Sequence, residues 1–183
     1  MANTKPTGKV AEGSRIYLAY LTPAMATKTY ADWLNDKAVN QYLEVRFDCP
    51  HTLAKVRDYA KSMYESPDNH LFAIMLKEGE RHIGNIKVGP VNRHHLFAEV
   101  GLFIGDKSLW GKGFGTEAIQ AATDYAFDVL KLHKLIAGAY SNNIGSIKAF
   151  EAAGYSQEAL LKEKFVCDGK RVDHVIMGKI SGK

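Results

Sequence analysis

The chain has 183 residues, 46% of them hydrophobic and 24% charged, with a formal net charge of +4. That length implies one domain with a substantial core, and with no apolar run near the ~20 residues that span a bilayer and no signal-peptide pattern at the start, a cytoplasmic protein without membrane partners is expected. Its scattered cations argue against nucleic acid and suit an anionic cofactor, while Cys49 and Cys167, far apart and outside any CxxC pair, argue against a disulfide or zinc framework.

Residues 1–13 are polar, with Pro6, Gly8 and Gly13, and read as a mobile tail before a single domain over 14–183. Residues 14–21 (SRIYLAYL) have the bulky, β-branched character of a strand. Thr22 and Pro23 predict a helix start, a hydroxyl N-cap followed by proline where its missing N–H costs nothing, and Tyr30, Trp33 and Leu34 supply that helix with an apolar face. A short second piece over 36–43 leads into an irregular stretch, NQYLEVRFDCPH, which reads either as a substrate loop or as a surface connection anchored by Tyr42 and Phe47. Thr52 predicts a second N-cap, with Leu53, Val56, Ala60 and Met63 spaced along a helix that stops before Pro67.

From His70 the period changes. HLFAIML, HIGNIKV and LFAEVGLFI, joined by short turns, predict an antiparallel meander of three strands, and Gly101 and Gly105 in the third mark a bulge or a close approach. A glycine-rich turn, WGKGFGT, then opens a helix whose Ala118, Ile119, Ala122, Ala126, Val129 and Leu130 recur at helical spacing. LIAGAY follows as a buried strand reached by a parallel crossover. A helix over 144–153 stopped by Gly154 and a hairpin with a CDGK turn complete the chain.

A strand, a glycine loop and a helix N-terminus together present unpaired N–H groups to an anion. Gly105 stands one residue too far from Gly111 for a Walker A loop, and Lys112 is followed by Gly113 rather than Ser or Thr. GxGxxG fails as well, and the antiparallel lead-in is unlike a dinucleotide-binding sheet. The alternative to an anion site is a tight strand-to-helix turn.

Two motifs carry a resemblance. Trp110-Gly111-Lys112-Gly113-Phe114-Gly115 is similar to the Gln/Arg-x-x-Gly-x-Gly/Ala loop of the GCN5-related N-acetyltransferase (GNAT) superfamily, with Trp110 in place of Gln/Arg. Asn143 and Ser146, followed by Gly154-Tyr155, resemble that family's Asn-x-x-Ser helix. The order of elements resembles the RimJ/RimL-like branch over nearly the whole chain after the tail.

The resemblance implies a mixed, mostly antiparallel α+β fold of about seven strands, splayed between the fourth and fifth, with helices on both faces. It also implies acetyl-CoA as cofactor, an N-acetyltransferase activity and an amine acceptor such as a protein N-terminus, a polyamine or an amino sugar. Main-chain groups of Leu102, Phe103 and Ile104 would meet the pantetheine arm, with a bulge near Gly101 beginning the splay, and residues Trp110 to Thr116 would hold the pyrophosphate. Asn143 would hold the arm or cap its helix; Lys112 and Lys148 would pair with phosphates or stand as solvated lysines.

A primary amine must lose a proton before it attacks, and Glu99 is placed for that or for a structural ion pair. The tyrosine many members use as general acid is Phe150 here, and Ser146 is the expected substitute. Dimers are common in the superfamily. The competing expectation is a CoA-binding module of the same fold with weak turnover.

Overall fold

The computed structural model describes residues 5–182. Among them eight strands, β1 (Lys9–Glu12), β2 (Ile16–Tyr20), β3 (His70–Leu76), β4 (Arg81–Val88), β5 (Phe97–Ile104), β6 (Lys134–Tyr140), β7 (Ser156–Cys167) and β8 (Lys170–Ile180), form one sheet in the order β1-β2-β3-β4-β5-β6-β8-β7. Every neighbouring pair is antiparallel except β5–β6, which are parallel because a helix, α4 (Phe114–Asp128), carries the chain between them. The meander and the crossover are as the periodicity predicts.

Alternation sorts the strands onto two cores. Ile16, Leu18, Phe72, Ile74, Ile86 and Ala98 meet Ala118, Ile119, Ala122 and Ala126 of α4, all with no solvent exposure. On the other face Leu71 and Ala73 pack under α1 (Lys28–Asn35) and α3 (Leu53–Glu65) through Tyr30, Leu34, Val56 and Ala60. Each large aliphatic side chain so buried contributes roughly 1.5–3 kcal/mol. Two short helices complete the set, α2 (Lys37–Asn40), capped by Asp36, and α5 (Ile144–Ala152).

Three sequence expectations are corrected. Met1–Thr4 of the expected tail lie outside the described residues, but Lys9–Glu12 form a strand, held by Val10 and Ala11 against the core and by the Glu12–Lys77 ion pair at 2.9 Å. This raises the strand count to eight, so the splay falls between β5 and β6. Thr22-Pro23 opens a turn instead of a helix: the Met25 N–H reaches Thr22 O at 3.0 Å, proline suits the second turn position, and α1 begins at Lys28.

Gly101 carries no bulge. β5 keeps an unbroken register with β4 from Val88↔Val100 to Gly84↔Ile104. The strands part on the other edge, where β5 and β6 pair only through Phe97↔Lys134, Ala98↔Leu135 and Glu99↔Ile136.

Candidate active site

The fork leaves one edge of β5 without a strand beside it. Glu99 O accepts from Gly89 N–H and Gly105 N–H donates to Ile83 O, so by alternation the main-chain groups of Gly101 and Phe103 also face β4. Those of Leu102 and Ile104 face the opening. Phe103 therefore contributes its ring, not its backbone, and stacks on Tyr30 with centroids 6.1 Å apart. The Trp110 indole Nε1 donates to Ile104 O at 2.8 Å, tying the strand end to the glycine loop.

That loop ends in Gly113, the N-cap of α4, at φ 83° and ψ 1°, a left-handed conformation that favours glycine. The first α4 amide with an intrahelical partner is that of Glu117, bonded to Gly113 O at 3.0 Å, so the N–H groups of Phe114, Gly115 and Thr116 precede the ladder. Nothing lies within 4 Å of where a Cβ on Gly111 would stand.

Arg15, at the start of β2, braces the loop from below. Its Nε donates to Glu117 Oε2 at 2.9 Å, its Nη1 donates to Lys112 O at 3.0 Å, and its guanidinium lies over the Phe114 ring at 4.1 Å. Burial would raise the Glu117 carboxyl, but hydrogen bonds from Arg15 and Ile16 outweigh it and hold the group below the usual carboxylate range. The Lys112 side chain points to solvent and does not line the cleft.

Across the fork, Asn143 caps α5, its Oδ1 accepting from Ser146 N–H at 3.2 Å. Ser146 and the exposed Lys148 line the cleft. Phe150 is buried against Tyr155. Tyr155 is no substitute for the absent tyrosine hydroxyl, since its own hydroxyl is buried and bonded to Thr123 Oγ1 at 2.8 Å.

Glu99 occupies the last paired position of β5 and β6, at the crotch of the fork, on the face opposite Ala98 and Val100. It does not line the cleft, and its charge is felt by buried His174. Burial lowers the His174 pKa and Lys164 adds to this, while Glu99 and Glu44 oppose it. A lysine ammonium only donates, so the 3.0 Å contact from Lys164 Nζ to His174 Nδ1 places the proton of the neutral ring on Nε2, over Gly138. A Cβ on Gly138 would come within 2.2 Å of that nitrogen. His70, by contrast, lies in the core of the other face, bonded to Tyr20 Oη at 2.6 Å.

Sequence reasoning missed the group beside His174. Tyr140 Oη donates to Glu44 Oε1 at 2.6 Å and accepts from Arg46 Nη2 at 2.8 Å, while its ring stacks on Phe165 at 4.2 Å. These contacts join the irregular 44–48 segment to the β7–β8 hairpin. Of the two aromatics in the longer 40–51 stretch, Tyr42 lines the cleft and Phe47 is exposed under the Arg46 guanidinium. The resulting cleft, about 1310 Å³, runs from the glycine loop across the fork to α1 and α3.

Residues 15–156 match the family model described as an acetyltransferase (GNAT) domain. The chain is 31% identical to a probable N-acetyltransferase, YjcK, of Bacillus subtilis, over 75% of this chain and 77% of that protein. It is 32% identical to a spermidine N(1)-acetyltransferase of Vibrio cholerae over 50% of this chain and 52% of that one. The fold is shared with a crystal structure of spermidine N-acetyltransferase from Vibrio cholerae in complex with CoA and spermine, at TM-score 0.80 and 23% identity over 91% of this chain and 96% of that one. A GNAT-family acetyltransferase from Bacillus anthracis superposes at TM-score 0.79 and 20% identity, over 93% and 97% of the two chains.

Proposed function

The chain belongs to the GNAT acetyltransferase domain family, and from that premise we propose that it moves an acetyl group from acetyl-CoA to a primary amine, by direct attack within a ternary complex. The observation that carries this reading is the fork itself. An open strand edge at Leu102 runs to a helix N-terminus whose first amides have no intrahelical partner.

These features fit the cofactor. The amides of Phe114, Gly115 and Thr116, the space beside Gly111 and the left-handed Gly113 suit a pyrophosphate, with Trp110 setting the loop's position. Leu102 and Ile104 offer main-chain groups to an amide-bearing arm, Asn143 and Lys148 border it from α5, and Lys112 adds positive charge nearby. Acetyl-CoA, when bound, supplies an acyl thioester electrophile.

The chain's own residues handle the protons. The Glu99 carboxylate, at the crotch of the fork and behind the cleft lining, takes the proton of the incoming ammonium through water. Ser146 Oγ presents the proton that the family's tyrosine would otherwise hold, since Phe150 has none to give. The Leu102 N–H, free of β-pairing, is a donor for a developing oxyanion.

We place the chain with the RimJ/RimL-like branch, on the strength of Trp110 in the motif and of the spermidine acetyltransferase relatives. A cytoplasmic setting and a homodimer belong to the same reading. Free Cys49 and Cys167 support the first; exposed Leu160, Leu161 and Val166 on the outer strand β7 support the second.

Thiol release from acetyl-CoA across a panel of amines tests the reading. Glu99→Gln and Ser146→Ala are expected to lower kcat at least tenfold with CoA affinity kept. Unchanged rates in both would remove those assignments, and tight cofactor binding without transfer to any amine would leave a CoA-binding module.

A further inference from the structure

The acceptor half of the cleft differs in character from the cofactor half. Its walls are apolar and aromatic: Tyr30, Leu34, Val56, Tyr59, Leu71 and Phe103. Two side chains of β4, Asn85 and Lys87, enter it from the sheet, on the same face and roughly 7 Å apart along the strand.

Asn85 is 2% exposed, and among the described residues its Nδ2 has no partner in ordinary hydrogen-bond geometry. The orientation of that amide follows from its neighbours. His82 Nε2 lies 2.9 Å from Gly84 O, an atom that can only accept, so Nε2 carries the proton. It shares that proton with Asn85 Oδ1 at 2.8 Å, which turns Nδ2 away from His82. Burial and Tyr59 raise the Tyr30 pKa and a weak hydrogen bond from the Asn85 amide opposes them, so Nδ2 faces the Tyr30 hydroxyl but outside ordinary hydrogen-bond geometry. A buried donor left in this state is stabilised by an acceptor atom brought by a ligand.

Lys87 is half-buried and forms no ion pair among the described residues. The carboxylates that line the cleft are Glu44, already bonded to Tyr140, and Asp48. Against them stand Lys55, Lys87 and Lys148. Polycations need several free carboxylates, and this chamber offers two oxygen-seeking donors instead.

Resting on the acetyltransferase reading above, we propose that the acceptor is an amino-acid-like primary amine. Its apolar or aromatic body fills the chamber, and its carboxylate oxygens meet Lys87 Nζ and Asn85 Nδ2.

The test is steady-state transfer to L-phenylalanine, L-leucine, phenethylamine, spermidine and a short peptide, with wild type, Lys87→Met and Asn85→Leu. Thermal melts and the KM for acetyl-CoA serve as folding controls. We expect kcat/KM for phenylalanine or leucine to exceed that for spermidine at least tenfold. Lys87→Met should lower it about tenfold for the carboxylate-bearing amines while leaving phenethylamine within twofold. Asn85→Leu should act mainly on the acceptor KM.

A preference for spermidine or the peptide, or an unchanged rate with phenylalanine and leucine in folded Lys87→Met and Asn85→Leu, overturns this assignment and leaves the acetyltransferase reading standing. Tight acetyl-CoA binding with no transfer to any amine overturns both.

Discussion

Gly105 illustrates how a single residue position constrains the fold. A Cβ there would stand 2.0 Å from Trp33 Cδ2, so α1 packs against the end of β5 only because the side chain is absent. We expect Gly105→Ala to destabilise the protein by about 1–3 kcal/mol in chemical denaturation. Trp110 acts at the same scale from the loop: Trp110→Phe keeps the ring and loses the bond to Ile104 O, at about 1 kcal/mol and with a raised KM for acetyl-CoA. The glycine loop and the α5 cap were legible in the sequence because their chemistry is local. Arg15 was not, because its partners lie 97 and 102 residues away. Asn85 was hidden for a similar reason: nothing in HIGNIKV tells which amide atom a distant chamber will receive.

At the level of elements, α4 and β2 are joined through Glu117, which accepts from the Arg15 and Ile16 amides and from the Arg15 side chain. Its folded-state pKa is depressed, so the stability it contributes is fully present above its unfolded value of 4.5 and is lost as pH falls through the folded value. Glu117→Gln should therefore cost about 1–2 kcal/mol at pH 7, and the gap between variant and wild-type melting temperatures should close on acidification below about pH 4.5. A gap independent of pH would assign the loss to packing instead. Element type was readable wherever a period ran for several turns, as in α3, α4 and the meander. β1 escaped because KVAE offers only Val10 and Ala11 as apolar signal and draws its order from pairing with β2. The start of α1 was misplaced because Thr-Pro suits a helix N-terminus and a turn equally, and tertiary contacts chose the turn.

For the molecule as a whole, pH sensitivity should come from the core opposite the cleft. Burial, then Lys5 and Arg93, lower His70 to about 4, against 6.5 unperturbed. Between those values the unfolded chain binds more protons than the folded one, so stability should rise with pH across the window. Urea denaturation at pH 4.5 and pH 7 checks this, and the difference should shrink in His70→Phe. Light scattering of the purified protein tests the proposed homodimer, which Leu161→Asp on β7 should drive towards monomer. The fold was legible as a whole because its order of elements is distinctive. The proposed acceptor chamber was not, since it is assembled from α1, α3, β3, β4 and β5, which meet only in three dimensions.

Among the described residues, β5 and β6 pair at three positions, and that short seam joins one half of the sheet to the other. Acetyl-CoA lying along the open edge would act as a further strand, so occupancy and foldedness are coupled: at a hundred times its Kd a ligand adds about 2.7 kcal/mol to global stability. Resistance to proteases, and with it the persistence of the protein in a cell, should then track the local acetyl-CoA pool.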